Sequence, residues 1–276
     1  MDFDFARIAV PFRMQPGLQR LPAGARHLTA LDPASALAAG KRAVLAAGAS
    51  RACVPGFDPR PALAAIARQA AAEGLPFEGP LELAFEEDFA VLDGATGTLP
   101  WLCVCAPSHW APEDKLGMDF AAAHAPVGDG DRLRAAAASL VALATGGERW
   151  ERHVWTVSPS GRHDQHPRRH APPAWPADGD PQAFAAGCWL RVERQTFFPV
   201  GGGTRQAVFT IRVQLQPLAE AVDTPDKARR LHDSLASMSE AVLAYKGLTV
   251  ARPRLLAWLA HRFGPQSAHA LSPQHP

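Results

Sequence analysis

Apolar and polar residues alternate along two neighbouring segments in the second half of the chain. These segments cover residues 188–200 and 205–218, and the glycine-rich turn GGGT at residues 201–204 separates them. A period of two indicates strands with one buried face, and glycine gives a tight turn the backbone freedom that it requires. The pattern therefore predicts a β-hairpin, which is the clearest strand signal of this sequence.

Apolar positions recur with a helical period on both sides of the hairpin. Glycines end several of these segments, and Asp32, Asp58 and Thr224 stand where an N-cap is expected. A shorter helical piece is predicted to break near Gly117. The predicted helices cover residues 33–46, 58–74, 112–126, 129–147, 224–247 and 252–264.

Further apolar runs predict strands at residues 81–94, 99–107 and 152–161. The polar, proline-rich residues 162–184 and the N-terminal residues 1–32 predict irregular segments. Strands that follow one another and pair antiparallel, with helices packed beside them, indicate an α+β architecture. We expect one domain over residues 1–276, with an irregular N-terminal arm and a disordered tail at about residues 265–276.

The composition of the chain excludes several classes of binding partner. The formal net charge is +1, which gives no bulk attraction to nucleic acid or to an anionic membrane surface. No apolar run reaches the roughly 18 residues that a membrane-spanning helix needs, and the N-terminus does not resemble a secretory leader. The four cysteines form neither a zinc-binding pattern nor a disulfide framework. We therefore expect a cytoplasmic protein without nucleic-acid or membrane partners.

The most distinctive polar pattern lies in the first strand of the predicted hairpin. Alternation places Arg191, Glu193 and Gln195 on one face of this strand. Such a face is either a solvated surface, which is the interpretation that the sequence alone favours, or the lining of a pocket. In a pocket, an Arg–Glu pair would hold the geometry and the carboxylate would bind a cationic amine.

Histidines offer two alternative places for a metal or a cofactor. His124 follows a run of alanines and precedes Ala125-Pro126, at the end of a predicted helical piece. A lone histidine is more often a surface residue or a satisfied core residue than a ligand. His163, His166 and His170 crowd the proline-rich segment, but their spacing is a weak zinc signal and a flexible polar loop is the favoured interpretation.

Four phrases together resemble one known family. They are PSHWAPEDKLGMDFAAAHAPV, RHVWTV, LRVERQTFFPVGGGTRQAVFTIRVQLQPL and YKGL. In this order they are similar to the haem-dependent oxidative N-demethylase α-subunit family, and the resemblance extends over nearly the whole chain. The strand LRVERQT and its partner FTIR are the most specific part.

The resemblance implies a PAS-like antiparallel sheet, flanked by helices, that holds haem b. It implies oxidative N-demethylation of a small secondary amine such as dimethylamine, which consumes O2 and releases formaldehyde. It also implies a separate reductase subunit that carries FMN and an iron–sulfur cluster and takes electrons from NADPH. This chain itself has no dinucleotide fingerprint and no ferredoxin-type cysteine spacing.

The resemblance also implies roles for individual residues. His124 matches the histidine of the family phrase H-x-P-V, which makes it the expected iron ligand, because haem iron is commonly held by an imidazole. The polar strand supplies the expected catalytic group, with Glu193 handling the substrate or its proton and Arg191 and Gln195 beside it. The side chains expected to hold the haem are His124, Arg149, Arg152 and Trp155.

Three positions depart from the family pattern. Val154 stands where the phrase R-x-N-W has asparagine, Gly128 stands where the phrase PVP has its final proline, and Phe197 stands where leucine is usual after ERQT. Because an amide is a hydrogen-bonding group, its loss changes the expected site, and the resemblance does not identify the amine. The alternative function is a non-catalytic PAS-like protein that binds haem or another small ligand as a sensor.

Overall fold

The structure is a computed structural model that describes residues 3–75, 77–177 and 179–263. The strands in these residues are β1 (Gln19–Arg20), β2 (Arg51–Cys53), β3 (Asp88–Asp93), β4 (Trp101–Cys103), β5 (Trp150–Ser158), β6 (Trp189–Pro199) and β7 (Gln206–Pro217). They form one sheet in the order β1-β5-β6-β7-β3-β4-β2, and every neighbouring pair is antiparallel. The predicted α+β class is confirmed.

Helices connect and cover these strands. They are α1 (Ala36–Ala46), α2 (Arg60–Ala72), α3 (Pro112–Lys115), α4 (Phe120–Ala123), α5 (Asp131–Ala135), α6 (Ala137–Ala144), α7 (Pro181–Ala186), α8 (Leu218–Ala221), α9 (Pro225–Ala236), α10 (Glu240–Tyr245) and α11 (Arg252–Phe263). In the part of the chain that the structure describes, no helix combines the length and the apolar character needed to cross a membrane.

The predicted hairpin is present as β6 and β7, the longest strands of the sheet. Their turn contains three consecutive glycines with positive φ, which are Gly201 (84°), Gly202 (65°) and Gly203 (77°). Backbone of this kind favours glycine, since a Cβ would be strained there. Two independent signals therefore agree on the position of the hairpin. One is the alternation of apolar and polar residues, and the other is the run of glycines in the turn.

Two helices predicted as continuous are each split in two. Residues 129–147 contain α5 and α6, which meet at Ala136, and residues 224–247 contain α9 and α10. At the second break Ser239 caps α10, because its hydroxyl accepts a hydrogen bond from Val242 N at 3.2 Å. Neither break contains proline or glycine, so the usual sequence signal for a helix end is absent.

Several predicted boundaries are wrong. Ser35 caps α1, with its Oγ accepting from Ala38 N at 3.1 Å, whereas Asp32 accepts from Ala34 N in the turn before the helix. The strand predicted at residues 81–94 is shorter, because a 3-10 helix occupies Leu81–Leu83. The strand β1 and the helix α7 lie in segments predicted to be irregular. The predicted disordered tail lies outside the described residues.

The side chains of the sheet point to two faces. The even-numbered residues of β5 and the odd-numbered residues of β6 and β7 share one face, called the front face. Helices α4 and α6 cover part of it, since Phe120 and Val141 pack with Phe197 and Phe209. The front face therefore combines an apolar, aromatic region with the polar residues of β6.

The opposite face, called the back face, is covered at its two ends. At one end Leu190 packs with Leu231 of α9 and Leu255 of α11. At the other end Phe198 packs with Ile66 of α2. Charged residues occupy the middle of the back face, between these two hydrophobic clusters.

Candidate functional site

Arg191 is almost completely enclosed, with 1% of its surface exposed. Its Nε donates to Ser108 Oγ at 2.8 Å. Its terminal nitrogens donate to the carbonyl oxygens of Arg162 (3.1 Å) and His163 (2.8 Å) in the proline-rich segment. Burial lowers the pKa of Arg191 to about 10, so the guanidinium stays charged at neutral pH. Arg191 thus lines an interior and does not lie on a solvated surface.

Glu193 is held by two hydrogen-bond donors on the front face. The hydroxyl of Ser108 donates to Oε1 in a short hydrogen bond, and Gln195 Nε2 donates to Oε2 at 2.7 Å. Ser108 accepts from Arg191 at the same time, so it links the guanidinium to the carboxylate. A carboxylate has about four lone-pair sites, and each oxygen of Glu193 keeps room for another donor.

Arg152 lies opposite Gln195 in the register of β5 and β6, on the same face as Glu193. Its Nε is buried and has no hydrogen-bond partner within the described residues. Burial lowers the pKa of Arg152, whereas the charge of Glu193 opposes that shift. A buried donor without a partner lowers the stability of the folded state by about 1–3 kcal/mol. An acceptor atom on a bound group would give Arg152 Nε its missing partner.

Lys246 approaches this group from the C-terminal end of α10. Its Nζ donates to Trp155 O at 2.6 Å, and burial lowers the pKa of Lys246 to about 8. The negative charge of Glu193 raises that pKa and the positive charge of Arg152 lowers it. The phrase YKGL therefore does more than end a helix, although Gly247, with φ of 67°, also suits a C-terminal cap.

His124 ends α4 and presents one ring nitrogen free of hydrogen bonds within the described residues. Its Nδ1 lies 2.7 Å from Phe120 O, and the two rings stack with centroids 4.1 Å apart. A carbonyl oxygen only accepts, so Nδ1 carries the proton and Nε2 keeps its lone pair. Burial lowers the pKa of His124, and the charges of Arg152 and Lys115 lower it further.

Gly128 explains how the segment after His124 reaches α10. A Cβ at this position would overlap the carbonyl of Ala241, a residue in the first turn of α10. Only glycine permits this approach, so the departure from the family's PVP phrase has a steric reason here. The contact ties the turn that follows His124 to the helix that ends at Lys246.

The donor set of the front face fits a haem. His124 Nε2 would offer an imidazole nitrogen to the iron, and metal-binding histidines commonly donate their other nitrogen to a carbonyl as His124 does. Arg152 would supply positive charge for a propionate, and Phe120 belongs to the apolar cluster of this face, whereas Lys246 Nζ lies 5.3 Å from the centroid of the Trp155 ring. No group of three or more His, Cys, Asp or Glu side chains able to hold a metal ion occurs in the described residues.

Two of the three histidines of the proline-rich segment, His166 and His170, have other partners. His166 Nε2 lies 3.0 Å from a carboxylate oxygen of Glu113, and its Nδ1 accepts from the backbone N–H of Arg168 at 3.1 Å. His170 Nε2 lies 2.9 Å from Asp164 Oδ2. These contacts fasten the segment to α3 and to itself, so both ring nitrogens of His166 are engaged.

Two of the residues expected to hold the haem lie elsewhere. Trp155 is an odd-numbered residue of β5, so its ring points to the back face, where it belongs to the buried cluster beneath α9 and α11. Arg149 precedes β5 and is exposed, and its charge adds to the effect of burial, which lowers the pKa of His27. The structure does not bring either residue to His124 and Arg152.

Ser108 and Lys246 are the residues that the sequence did not single out for a role. Ser108 lies in the phrase PSHW, and the backbone of the next residue, His109, has a positive φ of 59°. This conformation is uncommon for a residue other than glycine, and it occurs beside the serine that joins Arg191 to Glu193. The only sequence signal for either residue was the family phrase in which it stands.

A protein-family model described as haem-dependent oxidative N-demethylase, alpha subunit-like matches residues 75–256. The match covers more than half of the 276 residues. It includes Ser108, α3 to α6, β5 with Arg152, the hairpin and α10, and therefore all of the front-face residues described above. The similarity and the side-chain arrangement therefore concern the same part of the chain.

Proposed function

We propose that this chain, which belongs to the haem-dependent oxidative N-demethylase alpha-subunit-like family, binds haem b at the front face and demethylates a small secondary amine. The observation that carries the proposal is the grouping on one face of a free imidazole nitrogen, an unpaired buried guanidinium and an oriented carboxylate. The antiparallel sheet with short helices over this face supports a PAS-like fold that encloses the cofactor.

His124 is the residue proposed to hold the iron through Nε2, and its bond to Phe120 O sets the orientation of the ring. Arg152 is the proposed partner of the anionic haem edge. The bound haem supplies the activation of O2. The aromatic residues Phe120, Phe197 and Phe209 exclude water from the same side of the sheet.

Glu193 is the proposed binding group for the amine. A dialkylamine is protonated at neutral pH, and a carboxylate forms charge-assisted hydrogen bonds with its N–H groups. Ser108 and Gln195 hold the carboxylate in place, so the amine nitrogen meets an acceptor of fixed direction. Val154 lies directly opposite Glu193 on β5 and provides an apolar neighbour for the alkyl groups.

The proposed reaction needs two electrons from outside this chain. For dimethylamine, the amine, O2, two protons and two electrons yield methylamine, formaldehyde and water. The N–CH3 carbon is oxidised and one oxygen atom leaves as water. A partner reductase subunit with FMN and an iron–sulfur cluster, fed by NADPH, is the proposed electron source, and Glu193 is the group proposed to take and return the proton of the amine.

The test is an absorption spectrum of the purified protein reconstituted with haem. We expect a Soret band at one haem per chain, and His124→Ala shifts or abolishes it, because the iron loses its imidazole. His261→Ala, at an exposed histidine of α11, leaves the band unchanged. The haem proposal fails if excess haem gives no band, and the ligand assignment fails if His124→Ala has the wild-type spectrum.

Turnover is tested separately from haem binding. The reduced, haem-loaded protein is mixed with O2 and dimethylamine, and we expect formaldehyde to be released. Binding of O2 without formaldehyde, over a series of small secondary amines, would contradict the catalytic part of the proposal. That outcome would favour a non-catalytic sensor that uses the same cofactor.

A further inference from the structure

A second charged cluster lies on the back face of the sheet, on the opposite side from Glu193. It surrounds a cleft of about 620 Å³, which lies between the two hydrophobic clusters of that face. Cavities of a few hundred cubic ångströms suit small-molecule ligands. The residues that line this back-face cleft are Asp4, Arg7, Arg26, Leu28, Thr29, Ala30, Leu75, Glu151, His153, Arg194, Arg212 and Gln214.

The floor of the back-face cleft is a row of three side chains, the cations Arg194 and Arg212 and the neutral imidazole of His153, whose pKa is lowered to about 4 by burial and by the charge of Arg7. His153 lies directly opposite Arg194 in the register of β5 and β6, and Arg194 lies directly opposite Arg212 in the register of β6 and β7. Like charges directly opposite on neighbouring strands are destabilising. The repulsion between the two arginines lowers the stability of the sheet at this point, and a bound anion would offset that repulsion.

Carboxylates in the protein compensate these cations only in part. Glu151 is shared, at 2.9 Å from Arg7 and 3.1 Å from Arg194. Arg212 donates through Nε to Glu86 at 2.6 Å, and its terminal nitrogens make no hydrogen bond to a described residue. Several guanidinium N–H groups therefore remain available above the floor.

Arg26 and Asp4 complete the charges at the rim. Arg26 is exposed, and its side chain has no hydrogen bond or ion pair with any residue that the structure describes. The carboxylate of Asp4 is engaged at the N-terminus of a 3-10 helix, where it accepts from Ala6 N at 2.8 Å. The charges of Arg26 and Asp4 balance at the mouth, so the excess of positive charge lies on the floor, where three arginines share the carboxylates of Glu151 and Glu86.

One residue of the lining, His153, carries an unpaired buried polar atom. His153 Nδ1 is enclosed without a partner among the described residues, as are His27 Nε2 and Glu87 Oε1. His27 stands in the chain between the lining residues 26 and 28, and Glu87 Oε2 accepts from the lining residue Thr29. Buried polar atoms are nearly always hydrogen-bonded, and of these three residues only His153 lines the cleft, so its unpaired Nδ1 is the atom that agrees with a polar occupant.

We propose that the back-face cleft binds a small organic oxyanion, a metabolite that carries carboxylate or phosphate groups. Its oxygens pair with the terminal nitrogens of Arg212 and with Arg26, and the planar guanidinium favours bidentate contacts with either group. The site is separate from the haem proposal, because the sheet lies between the cleft and Glu193. Binding there needs no haem.

The test titrates the protein with inorganic phosphate and with citrate, at constant ionic strength, and compares both with chloride. Binding is followed by calorimetry and by the thermal midpoint. We expect a saturable signal with one or both oxyanions and none with chloride. A stronger response to phosphate identifies a phosphorylated ligand, and a stronger response to citrate identifies a polycarboxylate.

Variants decide whether the signal comes from the back-face cleft. Arg26→Gln and Arg212→Gln are each expected to weaken binding by about tenfold or more, the equivalent of one lost charge-assisted contact. Arg205→Gln, at an exposed arginine of the hairpin turn, is the matched control. Arg26 has no partner to lose on substitution, so its variant tests binding without a change in the fold.

Two results would overturn the proposal. One is a response that is equal in chloride, phosphate and citrate. The other is binding by Arg26→Gln and Arg212→Gln that matches Arg205→Gln. The Soret band is recorded in the same samples, so a protein that fails to bind haem still reports on the cleft.

Discussion

Glu193 shows what a local sequence pattern can and cannot predict about a site. The period of two in β6 places Arg191, Glu193 and Gln195 on one face, and the structure agrees. The pattern does not indicate that this face is enclosed by the protein. It also does not indicate that Ser108, 85 positions away in the sequence, donates a hydrogen bond to the Glu193 carboxylate. Contacts between distant segments leave no trace in local periodicity, which is why Ser108 and Lys246 went unassigned.

Glu193→Gln is expected to impair amine binding and leave haem binding intact. Glutamine keeps an oxygen for the Ser108 hydroxyl but loses the negative charge that the protonated amine needs. We expect KM for the amine to rise by about tenfold or more, as one lost charge-assisted contact predicts, with an unchanged Soret band. Glu220→Gln, at an exposed glutamate of α8, serves as the control. An unchanged KM would exclude Glu193 as the amine-binding group.

Glu87 gives a prediction about pH. Burial raises the pKa of Glu87 to about 7 from an ordinary value of 4.5, so the folded state holds a proton that the unfolded state has released. The stability that this proton contributes is present below pH 4.5 and is lost as the pH rises to about 7. Glu87→Gln, which keeps an acceptor for Thr29 N, should remove that part of the pH dependence.

Denaturant unfolding of wild type and Glu87→Gln at pH 4.5, 6 and 8 measures the effect. The free energy of unfolding of Glu87→Gln should exceed that of the wild type by an amount that grows as the pH rises. This gain should reach at most about 3 kcal/mol, since each unit of pKa shift corresponds to about 1.4 kcal/mol. Glu78→Gln, outside this buried environment, is the control. Parallel pH curves for the wild type and Glu87→Gln would refute the assignment.

At the scale of elements, the predictions succeeded where periodicity and turn chemistry agree. The hairpin has both signals, and α11 has a clear helical period. The breaks at Ala136 and at Ser239 have neither proline nor glycine, so a continuous pattern conceals two helix ends. Strands as short as β1 and β2, with two and three residues, cannot display a period at all. Their pairing is set by the neighbouring strand.

Ser239→Ala tests what the break before α10 contributes. The Ser239 hydroxyl accepts from Val242 N and donates to Asp129 Oδ2 at 2.7 Å, so the substitution removes an N-cap and a link to the segment after His124. We expect a loss of about 1 kcal/mol in the free energy of unfolding, as for other N-caps, and a shifted Soret band.

Ser35→Ala is the matched control, because it removes the N-cap of α1, and the Ser35 hydroxyl bonds only to Ala38 N and Asp32 O among the described residues, not to α10 or to the segment after His124. Its loss of stability should be similar, measured by denaturant unfolding, but its haem spectrum should equal that of the wild type. If both variants have the wild-type spectrum, α10 does not position the haem-binding residues, and its break is a matter of folding alone.

At the scale of the whole molecule, the sheet separates two differently charged environments. The N-terminal arm, predicted to be irregular, contributes Phe3, Phe5 and Ile8 to the buried cluster under α9 and α11. Arg230 of α9 donates to the carbonyl of Ile8 at 3.0 Å, which fastens the arm. The sequence could not predict this packing, because an arm without a period gives no indication of the surface that it covers.

Strand β6 belongs to both environments at once. Its odd-numbered residues Arg191, Glu193 and Gln195 face the proposed haem, and its even-numbered Arg194 lies in the floor of the back-face cleft. A shift of one residue would exchange these faces and would place Glu193 among the arginines of the cleft. During evolution this strand can therefore exchange side chains one at a time, but an insertion or deletion within it would abolish both sites together.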